Sequence, residues 1–93
     1  MNSIAEIKSL HRGHWFDESA MRFFGTHIDE TVYPSNGGTY FVTSERYDEN
    51  SPRRYSVRRA YLVGGAAHIE TVGEFGEYAT GAAAHREARQ LAA

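Results

Sequence analysis

The chain reads as an α+β fold: two short N-terminal helices, a three- to four-stranded antiparallel meander, and a C-terminal helix packed on one sheet face. Three observations predict this. The runs TYFVTSER, RRYSVRRAYLV and HIETVGEF are rich in β-branched and aromatic residues, which suit a pleated surface. Each run is closed by turn chemistry, most plainly at Gly64-Gly65, where two adjacent glycines supply the positive φ angles of a tight hairpin. An alanine-rich segment behind Thr80 then switches the apolar period from that of a strand to that of a helix.

The N-terminal elements follow from capping signals. Ser3 and Glu6 form a capping box, Ile4, Ile7 and Leu10 share one face, and Gly13 is a stop, so a helix is expected over residues 4–12. Asp17 reads as a second N-cap, Glu18 suits the positive end of the helix dipole, and Gly25 closes this short helix. Trp15, Phe16, Phe23 and Phe24 crowd into ten residues. Most of that aromatic surface is expected to pack the helices onto the sheet; the sharper alternative leaves one or two rings exposed as an interface anchor.

Further along, Thr31–Tyr33 is a short extended piece that becomes a fourth, edge strand if Asn36-Gly37 forms a type I′ turn. Pro34 confines it to an edge, because proline cannot donate to a ladder. The principal strands are expected near residues 39–47, 54–63 and 68–78, with Gly73 and Gly76 marking a bulge or a close backbone approach in the last. Thr80 caps a helix over residues 81–91 whose stripe is Ala84, Ala88 and Leu91.

Alternation sorts the strands into two faces. Tyr40, Val42, Tyr55, Val57, Arg59, Tyr61, Ile69, Thr71 and Phe75 are expected under the C-terminal helix, with Val57 and Phe75 as core. Phe41, Thr43, Glu45, Arg54, Ser56, Arg58, Ala60, Glu70, Val72 and Glu74 are expected to form a solvated face laced with ion pairs.

Ninety-three residues make one domain, residues 1–93, with a helical part over 1–25 and a βββα core over 38–93. A chain this short buries roughly two-thirds of the surface its unfolded form exposes, so its core is small. The absence of cysteine rules out disulfides and thiolate chemistry and suits a reducing compartment. No apolar run approaches the ~20 residues that span a bilayer, and the N-terminus lacks a cationic segment followed by a long apolar one. A cytoplasmic location is expected.

No nucleophile elbow, phosphate-binding glycine loop or HExxH motif occurs, so a non-catalytic role is expected. His11, His14 and Asp17 are spaced for a metal, but Gly13 breaks the helix that would align them, and neither a metal site nor a cofactor is expected. The charge is uneven. Residues 1–50 carry eight acids against four bases; residues 51–93 carry six arginines against four glutamates. The acidic half, through Glu18, Asp29, Glu30, Asp48 and Glu49, suits a basic protein groove, with Tyr33 and Tyr47 as anchors. The alternative is DNA, read by Arg46, Arg54 and Arg58 from the sheet, with Tyr47 and Tyr55 on phosphates. A third possibility is a structural, self-associating protein; monomer and homodimer both remain open.

Two resemblances bear on these expectations. The meander followed by a helix, residues 39–92, resembles in topology the sheet-reading DNA-binding modules of tyrosine recombinases and AP2-type plant factors. The strings GGTYFVTSER, SPRRYSVRRA, HIETVGEFGEYAT and AAAHREAR, over about residues 37–91, resemble small accessory proteins of bacteriophages and bacterial mobile elements. That likeness implies a protein similar in kind to anti-CRISPR proteins, which bind a host-defence complex stoichiometrically, for instance a nucleic-acid-guided nuclease effector.

Overall fold

The computed structural model describes residues 1–93. The elements are α1 (Ile4–Leu10), α2 (Glu18–Phe23), β1 (His27–Ser35), β2 (Gly38–Glu45), β3 (Arg54–Val63), β4 (Ala66–Val72) and α3 (Gly81–Ala92). The four strands form one antiparallel sheet in the order β1-β2-β3-β4, so the fold is α+β with α3 on one face. No helix is long and apolar enough to cross a membrane.

The capping signals set the helix starts. Ser3 Oγ accepts from the Glu6 amide at 3.1 Å, and Glu6 reaches back one residue further than expected, to the Asn2 amide at 2.9 Å. α1 ends at Leu10 rather than Arg12, because His11 turns extended and forms a parallel bridge with Ala67 at the outer edge of β4. Its Nδ1 lies 2.9 Å from the Ala67 carbonyl oxygen. Thr80 caps α3 as expected, accepting from the Ala83 amide at 3.2 Å.

The fourth strand forms, and it is longer than the three residues expected. Two residues are inserted into β1 between Ile28, opposite Thr43, and Val32, opposite Phe41. The Asn36-Gly37 turn is not type I′, which needs positive φ at both central residues. Only Gly38 just beyond them turns positive, at +145°. A side chain there would put its Cβ 2.6 Å from the Ala60 carbonyl oxygen. Gly64 and Gly65 do take φ of 58° and 82°, and the β3–β4 hairpin has the expected two-residue loop.

That loop corrects the face assignment of the last strand. A two-residue turn joining Val63 to Ala66 pairs Tyr61 with His68, Arg59 with Glu70 and Val57 with Val72. Antiparallel partners share a face. His68, Glu70 and Val72 therefore lie on the α3 side, and Ala67, Ile69 and Thr71 on the other, the reverse of the expectation. The strand also ends at Val72. Residues 73–77 loop out and Tyr78 rejoins the sheet opposite Tyr55, bonded in both directions at 2.8 and 3.0 Å. The two glycines thus mark a bulge, as read, but a wide one. Phe75 rides on it and is 43 % exposed, not core.

The α3 side is built on Val42, Val57, Ala84 and Ala88, with Tyr33, Tyr40, Tyr55, Val72 and Tyr78 packed around them. The two alanines let the helix lie close to the strands, while Leu91 stays partly exposed. The opposite side is not the solvated face expected. Ile4 and Ile7 of α1 cover Phe41, Ala60 and Ala67, with Trp15, Phe16, Ile28, Val32 and Ile69 alongside.

The polar residues of that face are buried because they satisfy one another. Arg58 Nη2 donates to Glu45 Oε1 at 2.7 Å, Arg58 Nε donates to Thr43 Oγ1 at 2.9 Å, and Arg58 Nη1 donates to Thr71 Oγ1. Thr43 and Ser56 donate in turn to the two Glu45 oxygens, at 2.5 and 3.3 Å. Ser56 Oγ accepts from the Gly76 amide at 2.8 Å. The network ties three strands and the bulge together.

Two expected outcomes follow for stability. Phe41→Ala should cost about 3–5 kcal/mol, as a core phenylalanine does, and Phe75→Ala about 1 kcal/mol or less; urea denaturation of both variants checks this. Glu45→Ala should cost about 3–5 kcal/mol by stranding a buried guanidinium. Glu45→Met with Arg58→Met should recover much of that loss on the same denaturation curve.

Candidate protein-binding surface

Phe23 and Phe24 are adjacent in a two-turn helical segment. Successive residues of a helix point about 100° apart, so both cannot be buried against the same neighbour. Phe24 turns toward the sheet end, where its carbonyl accepts from the Arg46 amide at 2.9 Å. Its ring meets Tyr47 at 5.7 Å and Phe75 at 5.4 Å between centroids, and Phe23 stands edge-on to it at 4.6 Å. Phe23 is 76 % exposed and Tyr47 75 %. Four aromatic rings from α2, the end of β2 and the bulge thus form one cluster open to solvent.

Arg53 and Arg54 hold this corner in shape. Arg53 Nη1 lies within 2.9–3.0 Å of the carbonyls of Gly25 and Ser44 and of Ser44 Oγ, fixing the exit of α2 to β2. Arg54 donates to the carbonyls of Gly76 and Glu77 at 2.8 and 2.9 Å, fixing the bulge that carries Phe75.

The acidic loop beside Tyr47 is also ordered. Asp48 Oδ1 accepts from the Asn50 amide at 2.9 Å and from Ser51 Oγ at 3.0 Å, so Oδ2 stays free. The Ser51 hydroxyl, then the Asn50 amide, hold the Asp48 carboxyl below its ordinary range, helped by the positive charge of Arg46. Glu49 is exposed next to it.

The expected partner-binding residues therefore divide into three places. Tyr47, Asp48 and Glu49 join the aromatic cluster. Glu18 is on α2 and pairs with Arg22 at 2.9 Å on the surface. Asp29 and Tyr33 lie on β1 beside α3, with Glu30 exposed in the β1 insertion. Tyr33 is not the exposed anchor expected, since its ring packs against the α3 core. The expected Arg face is corrected as well. Arg58 is buried and ion-paired beside Trp15 and Phe75, and Arg54 is committed to backbone carbonyls; Arg46 alone of the three stays open.

One cluster had no signal in the sequence. His85 of α3 lies between Tyr33 OH, 2.8 Å from Nδ1, and Asp29 Oδ2, 3.0 Å from Nε2. Asp29 Oδ1 also accepts from the Thr31 amide at 2.9 Å, which shapes the β1 insertion. Asp29 and His85 line an open cleft of about 400 Å³ with Ser44, Tyr55 and Gly81. Both imidazole nitrogens are engaged by protein partners, so His85 acts here as a clasp between β1 and α3. The histidines of the first helical region are each engaged at Nδ1 only, and His11 Nε2 is buried without a partner. His11 reaches Ala67, and His14 Nδ1 lies 2.8 Å from Asp17 Oδ2, which leaves the α2 N-cap without a side-chain bond.

The clasp has a pH signature. The Thr31 amide is the main cause holding the Asp29 carboxyl below its ordinary value of 3.8; partial burial opposes it, and the His85 bond adds to it. A carboxyl depressed in the folded state stabilises above its unfolded value, and that contribution fades as pH falls through the folded value. Denaturation midpoints of the protein and of Asp29→Ala should therefore differ above pH 3.8 and converge below it.

Comparison with known proteins adds a family assignment. No curated protein and no solved structure matches the chain at a significant level. The profile of a family of unknown function, DUF7447, matches residues 1–89, a span that includes α1, α2, the whole sheet and most of α3. The protein belongs to that family.

Proposed function

We propose that the protein is a non-catalytic binding protein that docks on a basic surface of another protein through the Phe23–Phe24–Tyr47–Phe75 cluster. The observation that carries this reading is the exposure of Phe23 and Tyr47 on an otherwise well-braced corner. Contiguous exposed aromatic surface with a polar rim marks an interaction site. Aromatic side chains dominate interface energetics because they bring large area at little cost in rotamer entropy.

The charge around the cluster selects the partner. Asp48 and Glu49 directly follow Tyr47, and Glu74 and Glu77 flank Phe75. Against them stand Arg46, the two arginines that brace the corner, Arg53 and Arg54, and Arg22, which is already paired with Glu18, so the four carboxylates exceed the unpaired arginines by one. A net acidic rim speeds encounter with a basic groove and sets its orientation. The groove of a nucleic-acid-binding complex is such a surface. Inhibition of a bacterial host-defence complex is the specific form this takes under the resemblance of residues 37–91 to phage and mobile-element accessory proteins.

Affinity capture of a bacterial host's proteins on the tagged protein tests the reading. Phe23→Ser with Tyr47→Ser should weaken capture of a specific partner by about thirtyfold or more, the loss expected for a hot spot worth ~2 kcal/mol. Asp48→Lys with Glu49→Lys should slow association and reduce its salt dependence. A partner captured equally by all variants would overturn the proposal. So would a mobility shift with duplex DNA that weakens steeply as salt rises, since that is the mark of phosphate contacts.

A further inference from the structure

We infer that the small cleft beside the aromatic cluster takes one bulky apolar side chain, leucine, methionine or phenylalanine, projecting from the basic partner surface. The inference rests on the proposed function and names the contact that anchors it. The cleft holds about 200 Å³. Trp15, Phe24 and Phe75 line it, Ala20 and Met21 of α2 contribute to it, Thr26 adds one small polar side chain, and Arg58 closes it from the sheet. For scale, a dry cavity of about 150 Å³ is enough to take up benzene.

The lining decides the chemistry of the occupant. Arg58 is the one charged group in the cleft, and it has no charge to offer. Its Nε, Nη1 and Nη2 are bonded to Thr43, Thr71 and Glu45, and the Glu45 carboxylate neutralises it at 2.7 Å. What remains is one N–H on each of Nη1 and Nη2 and the guanidinium plane, whose central carbon lies 5.6 and 5.5 Å from the ring centroids of Trp15 and Phe75. An anionic group entering the cleft would compete with a carboxylate that is only 1 % exposed. An apolar group meets ring faces and a methionine, the adaptable lining favoured at docking sites.

The cleft is also preorganised. Trp15 is braced edge-on by Phe16 at 4.8 Å and by Phe41 at 6.1 Å, and Phe24 is braced by Tyr47 and Phe75. An apolar pocket with Asp48, Glu49 and Glu74 on the segments that carry Tyr47 and Phe75 fits an apolar residue flanked by lysine or arginine, because the flanking cations can reach these carboxylates while the central side chain is desolvated.

Trp15 is the only tryptophan of the chain, so its emission reports occupancy directly. The probes are three acetylated pentapeptide amides, Lys-Lys-Leu-Lys-Lys, Lys-Lys-Phe-Lys-Lys and Lys-Lys-Ser-Lys-Lys. The leucine and phenylalanine peptides should change Trp15 emission saturably and bind at least about tenfold more tightly than the serine peptide, the discrimination expected of a desolvated anchor pocket. Ala20→Met, a helix-compatible change at an exposed position that fills the cleft, should abolish the response with the melting temperature unchanged. An equal response to all three peptides, or none to any, overturns the inference. If Ala20→Met leaves partner capture intact while Phe23→Ser with Tyr47→Ser abolishes it, the cleft is not the anchor but the aromatic docking surface stands. Light scattering that shows a dimer lost both on Leu62→Ser, at the exposed β3–β4 hairpin, and on Ala20→Met, in the cleft, would make a second copy the occupant and overturn the inference as stated.

Discussion

The ion pair between Glu45 and Arg58 is the constraint around which the rest of the molecule is arranged. Its side chains are 1 % and 8 % exposed. Removing two charges from water costs several kcal/mol each, and their attraction offsets this only when every remaining donor and acceptor is met. Here each nitrogen of Arg58 and each carboxylate oxygen of Glu45 has at least one partner, and Thr43, Ser56 and Thr71 supply those that the pair itself does not. A slip of β2 past β3 would separate the charges and strand both, so the pair enforces the register that puts Val42 opposite Val57. Through Ser56 it also positions the Gly76 turn, and through the Arg58 plane it sets the spacing of Trp15 and Phe75. The surface that we assign to partner binding is therefore an outer layer of the same network.

How much of this the residues announce varies along the chain. Ser3, Thr80 and the Gly64-Gly65 pair act locally, and the elements they bound appear where their chemistry places them. Pairing in the last strand is a different matter. The two-residue hairpin dictates that odd-numbered residues of β3 face even-numbered residues of β4, and carrying that parity across the turn would have put Val72 in the core and Ile69 on the other side. Gly73 and Gly76 signalled an interruption, but no local pattern says that five residues leave the sheet and Tyr78 returns. Phe75 lost its place in the core for that reason.

The candidate site was legible only in part, and the physical cause is similar. Tyr47, Asp48 and Glu49 are neighbours in the chain, so their grouping is visible at once. Phe23, Phe24 and Phe75 join them through tertiary structure alone. The adjacency of two phenylalanines in a short helix did carry a hint, since one must turn outward. The arginines misled, because alternation identifies a face without saying whether anything covers it. A polar face can be buried when its members are mutually complementary, as Thr43, Glu45, Ser56 and Arg58 are. The clasp of Asp29, His85 and Tyr33 joins residues 52 and 56 positions apart, with no motif to connect them.

The two outer strands share a property with a wider effect. β1 carries Pro34, which has no amide hydrogen, and a two-residue insertion that spoils its straightness. β4 is partly covered where His11 lies alongside Ala67. Neither margin offers an uninterrupted template for a further strand. The apolar surface this protein exposes is instead concentrated in a helix, a loop and a hairpin tip, positions from which the pleated layer cannot be extended. Association through them leaves the hydrogen-bonded ladder unextended, so a chain with conspicuous greasy rings on its exterior is guarded against growing by the addition of strands.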